Sequence, residues 1–370
     1  MTMKPVVGPL VWDGKRLEQG EEWIDHWSAA EVDALRTALE RARARGLAPE
    51  TMRRGDFELP GMRDRFVQLG RELESGRGFL LLRGLPIEGL SIEDCKLLFW
   101  GIGLQLGVPI NQTRHWQLLA EVKDVGEKTG TGTSRAFRAP GPLRFHCDLT
   151  DVLGLLCMRN AEWGGRSQIV SAAVIHNVML ERRPDLLELL YRPFCFSRQG
   201  EEVEGESPWY ERPVFAERDG HFTSYFTRTF IESAQRIDRV PRLTERQQEA
   251  LVMVSALADE LGLTFDMQPG DLQFLNSHVT YHSRTDYRDH ADPDRKRSLL
   301  RLWLATPFSR PLPREFESFY GSPEAGSLRG GLPHASGRRF AFSDWQDAGW
   351  SAQARADFES AAASSQRMPA

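Results

Sequence analysis

The residues that could do chemistry begin in Arg144-Phe145-His146-Cys147-Asp148. His146 and Asp148 stand two apart, and on a strand side chains two apart point to one face. A neutral imidazole and a carboxylate on one face are two ligands for a metal ion, with Cys147 pointing away. His-x-Asp alone recurs by chance in many proteins, so a third ligand has to be found. The chain has nine histidines. The best placed lie in Gly270-Asp271-Leu272-Gln273-Phe274-Leu275-Asn276-Ser277-His278-Val279-Thr280-Tyr281-His282-Ser283-Arg284, which reads as a turn followed by one long strand. His278 and His282 would share a face of that strand, so spacing does not choose between them. His282, at the strand's end, is nearer the mouth where such sites lie.

Two histidines and one carboxylate on one side of an ion leave coordination positions open, the arrangement expected of non-haem iron(II) oxygenases. Arg297 and Arg301 lie 15 and 19 residues beyond His282 and flank Ser298-Leu299-Leu300. A guanidinium in an apolar segment is costly unless it is paired. A structural ion pair would satisfy it. Beside a metal motif, a planar guanidinium also suits a dicarboxylate co-substrate, which arginine grips through two parallel hydrogen bonds. Asn111-Gln112 either touch substrate or form a turn. Arg138 and Arg144 either face an anionic substrate or make surface ion pairs, and Trp100 and Trp116 either line a pocket or pack in the core. His176 sits on a helix and reads as structural, while His221, His290 and His334 fall in polar loops.

These groups need a scaffold, and the chain punctuates one. Ser28 and Glu31 form a capping box for a helix over 28–46 that Gly46 stops. Gly78 to Gly84 encloses a short apolar run, a buried strand, and a second helix over about 91–106 starts at Ser91 and Asp94. Residues 143–147 read as a strand entering a turn, and 152–158 as a buried strand. Gly164-Gly165 is a turn before the apolar pair Ile169-Val170. A helix pair over 172–191 breaks near Pro184, and Thr244 with Gln247 opens a helix over 244–261. Leu263–Met267 and 298–305 are further strands. Residues 198–221 are polar and read as an excursion or lid, and the Ala/Ser-rich tail after about 355 is expected to fray. Short strands at regular intervals with inserted helices suggest a sandwich or jelly-roll core.

Composition bounds the rest. With 370 residues, 41% hydrophobic and 27% charged, the chain is an ordinary globular protein. A net charge of -5 exerts no global pull toward nucleic acid or anionic lipid. No basic-then-apolar leader and no run of about 20 apolar residues are present, so neither export nor membrane insertion is expected. Four cysteines without C-x-x-C spacing argue against a zinc knuckle or a disulfide scaffold and suit a reducing cytoplasm.

Phe145-His146-Cys147-Asp148, Gly164-Gly165-Arg166-Ser167, the Pro-Gly-Asp turn running through Asn276 to His282, and Arg297-Ser298-Leu299-Leu300-Arg301 occur in one order. In that order they resemble the TauD/TfdA (taurine dioxygenase-like) group of iron(II)/2-oxoglutarate dioxygenases and, more loosely, clavaminate synthase. The similarity runs over roughly 75–310, and 1–370 reads as one such domain. The resemblance implies an α+β fold, a double-stranded β-helix (jelly-roll) core with flanking helices and a helical N-terminal region. It implies His146, Asp148 and His282 as iron ligands, favouring His282 over His278. It sets Arg297 at the distal carboxylate of 2-oxoglutarate with Ser167 touching the same group. Arg301 is the alternative for that carboxylate or a contact to substrate. The distance from His282 to Arg297 is nearer the clavaminate synthase arrangement.

The cofactors so implied are Fe(II), 2-oxoglutarate and O2, and the partner is a small-molecule substrate, hydroxylated with release of succinate and CO2. Desaturation or ring closure in natural-product biosynthesis uses the same ligands. An intact Asp148 argues against a halogenase, which needs that position vacant for chloride. A non-catalytic metal- or metabolite-binding protein on the same core and a protein demethylase-like oxygenase are the other readings, and a homo-oligomer is compatible with each.

Overall fold

The computed structural model describes residues 3–124, 141–334 and 336. Arg138 and the expected frayed tail lie outside them.

Two sheets enclose the core. The larger orders Ile24–His26, Phe79–Arg83, Leu272–Asn276, Val152–Arg159, Ser298–Ala305 and Val108–Pro109 side by side, with Leu119–Val122 also pairing to Ser298–Ala305. The smaller orders Leu263–Phe265, Ser167–Ser171, Thr280–Arg284 and Leu143–His146. Their facing residues share one apolar cluster, which is the double-stranded β-helix expected from the pattern of short strands.

The strand Ser298–Ala305 shows why it reads as continuously apolar. It is buried on both faces. Leu299 and Trp303 face the inter-sheet core, while Leu300, Leu302 and Leu304 face the helix Ile92–Leu106. Arg301 alternates with the first set and so points inward with them. A Cβ on Gly103 would stand 2.8 Å from Leu302 Cδ1, so the helix lies directly on the sheet. Burying each such leucine contributes about 1.5–3 kcal/mol.

The capping boxes form as expected: Ser28 with Glu31 opens Ala29–Ala44, Ser91 with Asp94 opens Ile92–Leu106, and Thr244 with Gln247 opens Glu245–Leu261. The helix pair is Ala172–Arg182 and Pro184–Leu190. Gly46, Gly164 and Gly165 take the left-handed backbone their turns require.

One expectation is corrected. The run Leu272–His282 is not one strand. Leu272–Asn276 belongs to the larger sheet and Thr280–Arg284 to the smaller, joined by a turn in which Asn276 Oδ1 accepts from His278 N at 3.0 Å. An Asn side chain that bonds the backbone two residues on makes a turn rather than continued strand. Residues 198–221, read as an excursion or lid, run through two antiparallel strand pairs. Trp209–Arg212 pairs with Phe194–Ser197, and Phe215–Arg218 with His221–Ser224. Their inward positions Tyr210, Arg212 and Phe215 are fully buried, Arg212 against the rings of Tyr225, Tyr210 and Phe319. Of the acidic residues that made the segment look polar, Glu211 and Glu217 occupy outward positions of a period-two pattern, and Glu201, Glu202, Glu204 and Glu206 lie in the loop between the strands.

Candidate active site

The strand Leu143–His146 ends at His146, and the chain turns so that Asp148 follows from a loop. Across the smaller sheet, His282 pairs directly with His146 in antiparallel register. The rings lie 4.1 Å apart between centroids. His146 Nε2 is 3.9 Å from Asp148 Oδ1, and His282 Nε2 is 4.0 Å from Asp148 Oδ2. Among the described residues, His146, Asp148 and His282 are the one group of three His, Cys, Asp or Glu side chains whose ligand atoms lie within 4.8 Å of one another. Those separations are too long for hydrogen bonds and leave room for an ion between the atoms.

The surroundings prepare these groups as ligands. His146 Nδ1 donates to the Arg144 carbonyl at 2.9 Å, which leaves the Nε2 lone pair facing the other two residues. Burial, with the nearby His146 and Arg301, pulls the His282 imidazole down to about 3, so it is neutral. Burial alone would raise Asp148, but Arg301, His282 and His146 with the Trp303 indole hold it below the ordinary carboxylate range. The Trp303 indole donates to Asp148 Oδ2 at 3.0 Å. Cys147 points into the core as expected, and burial pushes its thiol up to about 12.

His278, the competing histidine, lies in the turn outside the triad. It is buried and donates from Nε2 to Asp151 Oδ1 at 2.8 Å.

The two arginines have different surroundings. Arg301 faces the triad: its Nη1 is 3.8 Å from Asp148 Oδ2, and its Nε donates to Gln112 Oε1 at 2.7 Å. Arg297 is equally buried, but no carboxylate lies within ion-pair distance of its guanidinium among the described residues. It stacks over Tyr287 at 5.4 Å, with Arg284 over the same ring at 4.5 Å. Burial lowers Arg297, and burial with Arg297 nearby lowers Arg284 to about 10. A Cβ on Gly165 would meet Arg297 Nε at 3.0 Å, so the Gly164-Gly165 turn lies against this guanidinium. A buried guanidinium without a counter-charge costs several kcal/mol, more than an exposed ion pair of about 0–1 kcal/mol returns. A bound anion would offset that cost, beyond the more distant charge of Asp289. Ser167, two residues past Gly165, pairs in register with Arg284 and donates to Gln273 Oε1 at 2.8 Å.

Residues 43–303 match the family of the taurine catabolism dioxygenases TauD and TfdA. The chain belongs to the TauD/TfdA family. It is 31% identical over 323 residues to FR-33289 synthase of Streptomyces rubellomurinus, spanning 84% of this chain and 93% of that one. It is 29% identical over 305 residues to the taurine hydroxylase-like protein SAT17 of Stachybotrys chartarum, 79% of this chain and 78% of that one. Among solved structures, the asparagine oxygenase complex with Fe(II), (2S,3S)-3-hydroxyasparagine and succinate superimposes with a TM-score of 0.61 at 17% identity. That match covers 76% of this chain and 93% of that one.

As a TauD/TfdA member the protein is a non-haem iron(II)/2-oxoglutarate-dependent oxygenase, and O2 is its oxidant. Its donor set, two imidazole nitrogens and one carboxylate, fits the metal, and the buried Arg297, with no carboxylate at ion-pair distance among the described residues, fits a dicarboxylate. No helix among the described residues is long and apolar enough to cross a membrane. All four cysteines are buried and free.

Several expectations resolve to the plainer alternative. Arg144 is exposed and pairs with Glu232. Trp100 is core, and His176 is buried against Tyr191. Asn111 and Gln112 are buried and hydrogen-bonded within the protein, Asn111 to Leu332 and Gln112 to Leu118 and Arg301. Trp303 and Arg284 were missed. Each lies two residues beyond a residue singled out, Arg301 and His282, so period two already set them on the same face.

Proposed function

We propose that this chain is a single oxygenase domain that hydroxylates a C–H bond of a small molecule in the making of a natural product. In this reading His146, Asp148 and His282 hold Fe(II), and Arg297 grips the distal carboxylate of 2-oxoglutarate, with Ser167 beside it. The observation that carries it is the held-open triad beside a buried arginine that lacks an acid. The carboxylate of Asp148 is present, which suits oxygen insertion over halogenation. The relatedness to a protein named FR-33289 synthase supports a biosynthetic role.

Bound at the triad, iron(II) supplies O2 activation coupled to conversion of 2-oxoglutarate to succinate and CO2, with one oxygen atom entering the substrate. The residues of the chain orient and exclude. Trp303 and Arg301 fix the Asp148 carboxylate from its outer side, so its rotation is restricted before metal arrives. The Arg144 carbonyl sets the tautomer of His146. Arg297 aligns the co-substrate through charge and a planar pair of donors. The site lies between the sheets, where burial strengthens each of these interactions.

The test is direct. Anaerobic addition of Fe(II) and then 2-oxoglutarate is expected to give the visible charge-transfer band of the chelate. Admission of O2 with substrate is then expected to give succinate in step with hydroxylated product. Failure to form the band would remove the assigned triad, and succinate without any oxidised product would favour a protein that binds but does not transform.

A further inference from the structure

The family match ends at residue 303, yet the chain then runs back across the site. From Thr306 to His334 it forms a strap whose regular elements are two short turns, Arg314–Phe316 and Glu317–Tyr320. Asp151, three residues after Asp148, receives it twice. Thr306 N donates to Asp151 Oδ2 at 3.0 Å, and Arg329 Nε donates to Asp151 Oδ1 at 2.7 Å. Further along, Gly331 N donates to the carbonyl of Leu149, the residue next to Asp148, at 2.8 Å. Leu332 N donates to the Asn111 carbonyl at 2.9 Å, and Asn111 Nδ2 returns a bond to the Leu332 carbonyl at 2.7 Å. Asn111 adjoins Gln112, whose Oε1 accepts from Arg301.

The approach is close. Gly330 and Gly331 are in the left-handed region, and a Cβ on them would stand 2.9 Å from the carbonyl oxygens of Leu149 and Asn111. Asp151 and Arg329 are both buried, and His278 on the other side of Asp151 is held neutral by burial. The charge partner of Asp151 is therefore Arg329. A buried ion pair is seldom better for stability than apolar packing of the same size, and its best-attested use is to fix register. What this pair registers is the strap against the loop that carries Asp148. The strand stops at His146, the loop is tied just before Asp148 by Cys147 N donating to the Phe226 carbonyl at 3.0 Å, and beyond Asp148 it meets the strap.

We propose that the Thr306–His334 strap is a working part of the active site, in which Asp151 is a positioning residue. It holds the Asp148 loop and, through Asn111 and Gln112, Arg301 in the geometry that binds metal. This rests on His146, Asp148 and His282 being the ligands.

Anaerobic Fe(II) affinity of the full chain, measured by competition with a chromophoric chelator and without co-substrate, tests it independently of turnover. Asp148→Ala is expected to lose measurable binding. Asp151→Asn and Gly331→Ala are expected to weaken Fe(II) by about 10- to 100-fold, the scale seen when groups behind metal ligands are removed. Both are measured well below their unfolding temperature with native near-ultraviolet circular dichroism. Folded variants that melt lower yet bind Fe(II) within about twofold of the parent, a factor worth under ~0.5 kcal/mol, would overturn the proposal. Should Asp151→Asn not fold, Gly331→Ala, which alters no charge, decides alone. A parent that binds no iron, or an Asp148→Ala protein that binds it as well as the parent, overturns the triad and the strap's role together. Loss in Asp148→Ala with unchanged affinity in the strap variants overturns the strap alone.

Discussion

Asp148 and Asp151 share one loop, and His282 and His278 lie four residues apart, yet the two Asp–His sets behave as opposites. Around Asp151 every contact is closed: 2.8 Å to His278, 2.7 Å to Arg329 and 3.0 Å to Thr306 N. Around Asp148 the two imidazoles stand off at 3.9 and 4.0 Å, while the Trp303 indole makes a hydrogen bond. In the closed set both carboxylate oxygens of Asp151 are taken by protein donors. The open set keeps three ligand atoms within 4.8 Å of one another without closing on protein partners of its own. Residue type does not separate a structural cluster from a metal centre here; the distance at which the surrounding fold holds the same groups does.

The largest effect should come from exchanging the histidines' fates. His282→Ala is expected to abolish iron binding and turnover. His278→Ala is expected to keep one iron per chain and to lose about 2–3 kcal/mol of stability through the lost hydrogen bond to Asp151 and a cavity. Metal content and urea unfolding check both, and the contrast breaks if His278→Ala loses the iron as well.

Next in size is Arg297→Ala, expected to weaken 2-oxoglutarate on the order of 100-fold, the effect of truncating one partner of a buried charge pair. The Kd of the anaerobic complex measures it. An Arg301→Ala variant that weakens 2-oxoglutarate more than Arg297→Ala would reverse the two arginines' assignments.

A smaller change is expected for Trp303→Phe, about tenfold in iron affinity with the fold retained, since only the bond to Asp148 is lost. Unchanged affinity would mean that Arg301 suffices to hold the carboxylate.

The last contrast is in pH. Burial lowers His278 from 6.5 to about 4 in the folded protein. The unfolded chain takes up that proton first, so the contribution of neutral His278 is full above pH 6.5 and is lost as pH falls through 4. His278→Gln should therefore flatten the acid limb of stability between pH 6.5 and 4 by about 1.4 kcal/mol per pH unit. Unfolding free energies at pH 7 and 5 for the two proteins decide it, and parallel slopes would assign the acid sensitivity elsewhere.

Much of this was legible beforehand. The types and order of His146, Asp148, His282, Arg297 and Arg301, the three capping boxes and the glycine turns all follow from local chemistry. Local chemistry is carried by residues within a few positions of one another. The choice of His282 over His278 was not available from spacing. The apolar run around them is buried on both faces, so its hydropathy pattern does not mark where the chain leaves one sheet for the other; the turn-forming side chain of Asn276 does.

The fate of 198–221 was likewise hidden, because its composition masked a period-two arrangement with aromatic residues inward. The strap was hidden most completely. Asp151 and Arg329 are 178 residues apart and Asn111 and Leu332 are 221 apart. Their pairing obeys no local rule. By itself, then, the sequence determined which ligands and which charges this protein has. Only the tertiary structure decided how His282 stands beside His146 and Asp148, which aspartate is tied shut and which segments lie against the one left open. Side-chain chemistry is a property of each residue, while the distance between two of them belongs to the packed fold.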